Sequence, residues 1–349
     1  MGSKAGLVGL SADSWMAWDK EPAWGVQIGP SASSEFALFL AENLTADRPQ
    51  IPVPNIAQAY RDVTQIFPGA QVVSGEITVA VTYQGLENLF LHCFGEINNA
   101  TAGTSGTYNR NFDLAKKGRF RNAQSKGLSL HLSRGVSGSG NTNPTVYSYS
   151  GCVIDSFTLG CKRDEPLKLS MNVFGRQEQT AISSVTPVFP TAPVANFTES
   201  IITWGSGELF VSEWSLSVKR NIDRARVAAG ETLTSEPPPG QYECELNLTT
   251  EWSNEPLNGT TVMRSDFIAG TARTLQLQFL SSSVMYLTGQ KYELTLSLPF
   301  AKIGRFPVNV SQRGRVMVPV SFMGYDSDLT SVPHESRLYT KNARNFADN

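Results

Sequence analysis

Apolar and polar residues alternate through much of this chain. Ile77, Val79, Val81 and Tyr83 are interleaved with Glu76, Thr78, Ala80 and Thr82, a period of two that predicts a half-buried strand. Residues 241–252 repeat the pattern more sharply. Tyr242, Cys244, Leu246, Leu248, Thr250 and Trp252 share one face, and Glu243, Glu245, Asn247, Thr249 and Glu251 share the other. Strand patterns also cover residues 127–133, 146–159 and 167–174, the last two joined by the charged turn Lys162-Arg163-Asp164-Glu165-Pro166. The period changes to a helical one most clearly after Gly85. There Leu86, Leu89, Phe90 and Cys93 fall at i, i+3, i+4 and i+7, and Gly95 provides a C-terminal stop. Between these elements, residues 46–69 read as a proline-punctuated loop and residues 96–126 as a polar, basic stretch. Residues 135–143 read as a turn region, and Pro237-Pro238-Pro239-Gly240 as a loop that no central strand could hold.

The strand patterns recur in order. Residues 35–45 match 209–218, 75–83 match 241–250, and 127–133 match 274–280. Residues 151–159 match 292–298, and 166–175 match 316–324. Identities are few. The correspondence rests on order, period and the endings Asn172-Val173-Phe174-Gly175 and Ser321-Phe322-Met323-Gly324. The expected fold is mainly β, with two tandem β-sandwich or barrel-like modules, each carrying a short helix. The expected divisions are an N-terminal arm (1–34), module 1 (35–180), a Pro/Thr-rich linker (181–206), module 2 (207–325) and a polar C-terminal tail (326–349).

At 349 residues the chain is long enough for two such modules, and its 40% hydrophobic content is enough for real cores. Charged residues make up 17%, below the usual ~25%. That depletion points to surface covered by other copies, because interface cores lose charge. The net charge of −2 gives the chain as a whole no electrostatics for binding nucleic acid. We expect no secretory signal at the N-terminus, no membrane-spanning segment, and four reduced, buried thiols at Cys93, Cys152, Cys161 and Cys244. Asn-x-Ser/Thr triplets at Asn43, Asn99, Asn196, Asn247, Asn258 and Asn309 then carry no glycans.

Catalytic and metal motifs are absent, and His92, His131 and His334 complete no zinc spacing, so neither an enzyme nor a cofactor is expected. Three groups invite a role. Trp15, Trp18 and Trp24 lie in a segment without periodicity and need something to pack on, the chain's own core or a neighbour. Lys116, Lys117 and Arg119 belong to a basic run with Phe120, and Lys219, Arg220, Arg224 and Arg226 form a second one; the plainest role for both is a solvated or subunit-contacting loop. Glu243, Glu245 and Glu251, with Glu76 and Thr78 as weaker counterparts in the first half, make a hydrated acidic strand face suited to lining a water-filled channel.

Several of these segments together resemble the tail tube proteins of long, non-contractile-tailed bacteriophages, the siphophage major tail proteins, in a two-module form. The resemblance is carried by residues 18–28 (WDKEPAWGVQI), Glu42-Asn43-Leu44-Thr45, the strand and helix of residues 75–95, residues 149–159, the strand of residues 167–175, and residues 211–222 (VSEWSLSVKRNI). It spans about residues 15–325. The resemblance implies a virion structural protein, assembled in the host cytoplasm, whose sheets join into a tube barrel. Rings stack into the conduit for DNA, and three two-module chains would form a pseudo-hexameric ring. Tape measure, tail terminator and tip proteins are the implied partners, and DNA passes without specific binding. The Trp15/Trp18/Trp24 segment and the Lys116/Lys117/Arg119 run would serve as inter-ring or subunit contacts. Two other readings compete. A carbohydrate-binding or adhesion β-sandwich would need exposed aromatic platforms such as Trp204, Trp214 and Trp252. A β-sandwich hydrolase would need paired acids, which Glu243 and Glu245 offer by spacing alone.

Overall fold

The computed structural model describes residues 8–9, 14–54, 63–102, 108–114, 127–134, 136–137, 146–182, 185–224, 227, 231–238, 240, 242–252, 259–284, 290–308, 316–324 and 337–342. The fold is mainly β with two short helices. The chain begins with β1 (Val8–Gly9), β2 (Trp15–Lys20), β3 (Glu35–Ala37), β4 (Phe39–Glu42), β5 (Thr45–Asp47), β6 (Gln50–Pro54), β7 (Val63–Pro68) and β8 (Val72–Ala80). Helix α1 (Glu87–Phe94) leads into β9 (Gly95–Ala102), β10 (Tyr108–Leu114), β11 (Leu128–Ser133), β12 (Val136–Ser137), β13 (Val146–Lys162), β14 (Lys168–Gly175) and β15 (Gln177–Ile182). Then come β16 (Ser200–Trp204), β17 (Gly207–Glu208), β18 (Val211–Lys219), β19 (Glu243–Glu251) and helix α2 (Gly259–Ala269). β20 (Arg273–Val284), β21 (Lys291–Arg305), β22 (Met317–Gly324) and β23 (Arg337–Asn342) complete it.

The predicted helix is present one residue inside its expected start, and Gly95 ends it in the left-handed conformation, φ 100°. The alternation read at residues 241–252 also holds. Leu246 and Leu248 are buried in β19, while Glu243, Glu245 and Asn247 are exposed.

All the strand-to-strand ladders are antiparallel, and their order repeats. In the first half β4 and β5 pair with β8, β8 with β14, β14 with β13, β13 with β11, β11 with β2, and β2 with β3. In the second half β18 pairs with β19, β19 with β22, β22 with β21, β21 with β20, β20 with β16, and β16 with β17. The irregularities repeat as well. The β13–β14 ladder shifts between Ile154 and Ser156, and the β21–β22 ladder between Ile303 and Arg305. The β11–β13 ladder shifts between Leu128 and Leu130, and the β20–β21 ladder between Arg273 and Leu275. Trp18 lies opposite Leu130, and Trp204 opposite Leu275.

This register corrects the residue alignment read from the sequence. β13 does correspond to β21, but the bulges put residues 152–157 level with 301–306 rather than with the stretch 292–298. Few identities and a strict period of two leave such slips undetectable in sequence.

The two sets join at β13, whose residues 156–162 pair with β18. One hydrophobic core runs through both sets. Aromatic contacts tie its layers: Phe94 of α1 lies 5.3 Å from Phe157, Trp214 5.9 Å from Phe279, and Trp204 5.1 Å from Phe322. Arg220, buried just after β18, donates to the carbonyl oxygens of Ile154 (3.1 Å), His92 (2.6 Å) and Cys93. It thereby satisfies the carbonyls left open at the end of α1.

Strands also lie within segments expected to be arm, linker, loop and tail. Within residues 1–34, β2 is a sheet strand between β3 and β11. Residues 200–204, assigned to the linker, form β16. The tail contains β23, whose Leu338 is fully buried. The loop at 46–69 contains the β6–β7 ribbon, and the basic stretch at 96–126 contains β9 and β10, which pair with each other while β10 also pairs with β23. Among these, β6 and β7 carry proline and β9 and β23 carry few large apolar residues, which hid them in sequence. Cross-strand partners, not local propensity, hold them.

Candidate functional site

Antiparallel strands form one continuous sheet of eight positions in the order β4/β5, β8, β14, β13, β18, β19, β22, β21, with β4 and β5 sharing the first position. One face is apolar and packs into the core. The other is polar, and its rows can be followed across the strands, because directly opposed residues point to the same side. Glu76 lies opposite Asn172, Asn172 opposite Ser156, Ser156 opposite Lys219, and Lys219 opposite Glu243. The next row runs Thr78, Ser170, Thr158, Ser217, Glu245, Met323, Lys302. Hydroxyl and amide groups link it locally: Thr78 Oγ1 and Ser170 Oγ are 2.8 Å apart, and Asn172 Nδ2 donates to Ser156 Oγ at 2.9 Å. Glu251 follows Glu243 and Glu245 on the same side of β19 and is half-buried. The five strand-face residues singled out from sequence therefore share one surface, although they come from both halves.

The expectation that this surface is acidic needs correction. Lys219 stands between Ser156 and Glu243, and Lys162, Lys168, Lys302 and Arg305 project from neighbouring positions of the same face. Lys162 Nζ lies 3.5 Å from Glu213 of β18. The surface is hydrated and mixed in sign. An open trough of about 390 Å³ crosses it, lined by Lys162, Glu213, Asn247, Thr249, Arg305 and Ser321 among others, and the lining includes neither Glu243 nor Glu245. The matched bulges also shift the internal correspondence: Glu76 is level with Asn247, not with Glu243, because their partners Asn172 and Ser321 are equivalent.

The tryptophans differ from one part of the expectation. Trp15 and Trp18 have a core within their own chain, 5% and 0% exposed. Trp15 packs on Phe36 at 5.7 Å, and Trp18 Nε1 donates to Glu35 Oε2 at 2.8 Å. The same carboxylate oxygen accepts from the backbone N–H of Asn88 in the first turn of α1. Trp204 repeats the arrangement, donating to Asp266 Oδ2 of α2 at 2.9 Å. Trp24 is half-buried beneath the Arg176 guanidinium, 5.4 Å from its ring centre. Neighbouring Glu21 is buried and accepts from Gly25 N, Gly151 N and Ser129 Oγ, and burial raises its carboxyl above the ordinary value despite these donors. Lys116, Lys117 and Arg119 lie outside the described residues.

The competing readings lose their sites. Trp204 and Trp214 are buried, and Trp252 is half-buried against Phe306, so none forms an exposed platform. Glu243 and Glu245 sit in the open on one strand. All four cysteines are free and buried, and burial pushes Cys93 and Cys244 up to about 12 and Cys161 up to about 11, so these thiols stay protonated. Among the described residues no group of three or more His, Cys, Asp or Glu side chains is placed to hold a metal ion.

Sequence reasoning missed the β6–β7 ribbon as a surface. Ile51, Ile66 and Phe67 are 54%, 61% and 52% exposed on it. Ile51 lies opposite Phe67 on one face of the ribbon, and Ile66 lies opposite Pro52 on the other. A comparison with family profiles matches residues 11–324 to a family described as "Phage tail tube protein". No curated protein matches the chain.

Proposed function

The chain belongs to the phage tail tube protein family, and from that premise we propose that it builds the tube from two fused modules per chain. It is a structural component of the virion that forms the tail tube, and it is not an enzyme. Three chains supply six modules and close a ring with pseudo-sixfold symmetry. The rings stack, and the polar face of the continuous sheet lines the channel that DNA crosses on its way to the host. The observation that carries this reading is the repeated strand order with matching bulges, joined edge to edge at β13 and β18.

Within the proposal, Glu76, Thr78, Glu243, Glu245 and Glu251 line the lumen together with Lys162, Lys168, Lys219, Lys302 and Arg305. With Glu213, which pairs with Lys162 on the same face, the charges balance at five acidic and five basic side chains. A wall with no net positive charge gives DNA no opportunity to release counterions, so the duplex is neither held nor strongly repelled. The exposed apolar side chains of the β6–β7 ribbon are the ring-to-ring contact, and a second copy in the adjacent ring covers them. The remaining features implied by resemblance to long non-contractile tails belong to the same proposal: a tape measure protein within the lumen, and terminator and tip proteins at the ends.

Imaging tube cross-sections together with mass measurement of released rings tests the reading. Three chains per ring with six similar lobes is the expected result, and six chains per ring would remove the two-module assignment.

A further inference from the structure

The joint inside the chain is a template for a joint between chains. β13 receives β18 along one edge, with Ser156 opposite Lys219, Phe157 opposite Val218, Thr158 opposite Ser217 and Leu159 opposite Leu216. β21 is the counterpart of β13. Its bulge at Gly304 matches the bulge at Asp155, so Arg305, Phe306, Pro307 and Val308 stand where Ser156, Phe157, Thr158 and Leu159 do. β20 covers the corresponding edge of β21 only as far as Ala301. Beyond it, no strand among the described residues occupies that edge.

The counterpart of β18 is β5 with the residue before it. Thr45, Ala46 and Asp47 face Ser74, Val73 and Val72 of β8. Ser217, Val218 and Lys219 face Glu245, Cys244 and Glu243 of β19 in the same way. Leu44 and Leu216 are both buried as the next residue inward. Among the described residues β5 pairs with β8 alone, so the outer edge of Thr45–Asp47 carries no strand; at Leu44 the N–H donates to Glu42 Oε2 and the carbonyl accepts from Arg134 Nη2, contacts that docking exchanges for the new strand.

We infer that the outer edge of β5 in one copy docks antiparallel on the open edge of β21 in a second copy, with Asp47 opposite Arg305, Ala46 opposite Phe306, Thr45 opposite Pro307 and Leu44 opposite Val308. The inference rests on the two-module reading and specifies where its chains meet.

Three further observations agree with this register. The first is backbone direction. Arg220 N donates to Asp155 O, and Arg163 N to Ser212 O, so the odd-numbered residues 155–163 of β13 face β18. By the equivalence, Gly304, Phe306 and Val308 face the new strand. Pro307, which has no N–H to offer, faces the other way. The second is charge. Asp47 and Arg305 are both exposed in the single chain, and the docking sets them directly opposite on the hydrated face.

The third is a helix end. Arg220, one residue beyond Lys219, occupies the end of α1, where His92 and Cys93 are buried. Arg48 is one residue beyond Asp47. The last turn of α2 has no such cover: Phe267 is 37% exposed and Ile268 74%. Both helices stop at a left-handed glycine, Gly95 at φ 100° and Gly270 at φ 65°. Docking carries Arg48 of the second copy to the carbonyls at the end of α2, a favourable place for a cation. The contact uses different surfaces on its two sides, so it propagates head to tail and closes into a ring.

Hydrogen exchange on the unaltered protein tests the joint. In assembled tubes the amides of residues 45–48, 306 and 308 should exchange at least tenfold more slowly than in dissociated chains, while those of β8, already paired on both sides, should not change. A second measurement uses the double variant Asp47→Cys, Arg305→Cys. Directly opposed strand residues lie about 4.5–5.5 Å apart at Cα, within disulfide reach. Oxidised assemblies should give a covalent ladder ending at three chains on non-reducing gels, and either single variant should give none. Normal tubes with neither protection nor ladder overturn this joint and leave the tube reading standing. Failure of the unaltered chain to form rings overturns the tube reading itself.

Discussion

Replacing Arg220 with Met tests the internal joint most directly. Its guanidinium is 6% exposed and donates to the carbonyls of Ile154, His92 and Cys93, tying the start of the second half to the end of α1 and to β13. Hydrogen bonds to a charged group contribute about 1.5–3 kcal/mol each. Against them stands the desolvation of a buried cation, several kcal/mol, visible in the way burial pulls the Arg220 pKa down to about 10. Met fills much of the volume and removes the charge, so the desolvation cost disappears along with the bonds. What remains is a set of buried helix-end carbonyls without their donor, worth about 1–3 kcal/mol apiece. We expect a net loss of roughly 3–5 kcal/mol, the cost of leaving three buried carbonyls without their donor. Arg220→Lys should fall between, keeping the charge but not the forked donors. Urea unfolding followed by tryptophan fluorescence measures this, and a Met variant within 1 kcal/mol of the parent would refute the account of the joint. Arg48→Met, at the equivalent but exposed position, should leave the single chain within about 0.5 kcal/mol of the parent and reduce assembly.

Four other outcomes follow from the geometry. Deleting residues 1–24 should unfold the chain rather than only block polymerisation, because the deletion removes β2 and Trp18, whose burial alone contributes roughly 4–6 kcal/mol; a soluble, cooperative deletion product by circular dichroism would contradict it. His92 is buried, and burial, with Arg220 and Lys20 nearby, holds its pKa down to about 3. The unfolded chain therefore takes up a proton that the folded chain refuses: stability is intact above about pH 6.5 and falls below it by up to ~1.4 kcal/mol per pH unit, a slope that His92→Gln should flatten in denaturation midpoints measured from pH 7 to 5. Glu243→Lys with Glu245→Lys should leave stability within about 0.5 kcal/mol, since both are exposed, but slow DNA ejection most at low salt; normal ejection rates would remove these residues from the lumen. Ile66→Ser with Phe67→Ser should preserve the monomer and shorten or abolish tubes, and tubes of normal length by electron microscopy would exclude the β6–β7 ribbon from stacking.

What the sequence determined was whatever depends on local period and punctuation. The alternation of Ile77, Val79 and Val81, and of Cys244, Leu246 and Leu248, identified strands and their core faces. The spacing of Leu86, Leu89, Phe90 and Cys93 with Gly95 identified a helix, and the recurring order of segments revealed a likeness between the halves. Those features are written within a few residues of one another, so backbone geometry alone makes them readable. Tertiary structure decided the rest. Whether Glu76 is level with Glu243 or with Asn247 depends on bulges at Asp155 and Gly304, which change no composition and leave the period of two intact. Lys219 turned an acidic face into a mixed one because pairing sets it between Ser156 and Glu243, 63 and 24 positions away in sequence. Trp15 and Trp18 found their core on β3 and β11, and β23 became a strand only because β21 and β10 offer it partners. A strand's face is a local property, whereas its register, its neighbours and its open edge are set by distant segments, and these are what place the mixed polar sheet face and the uncovered strand edges.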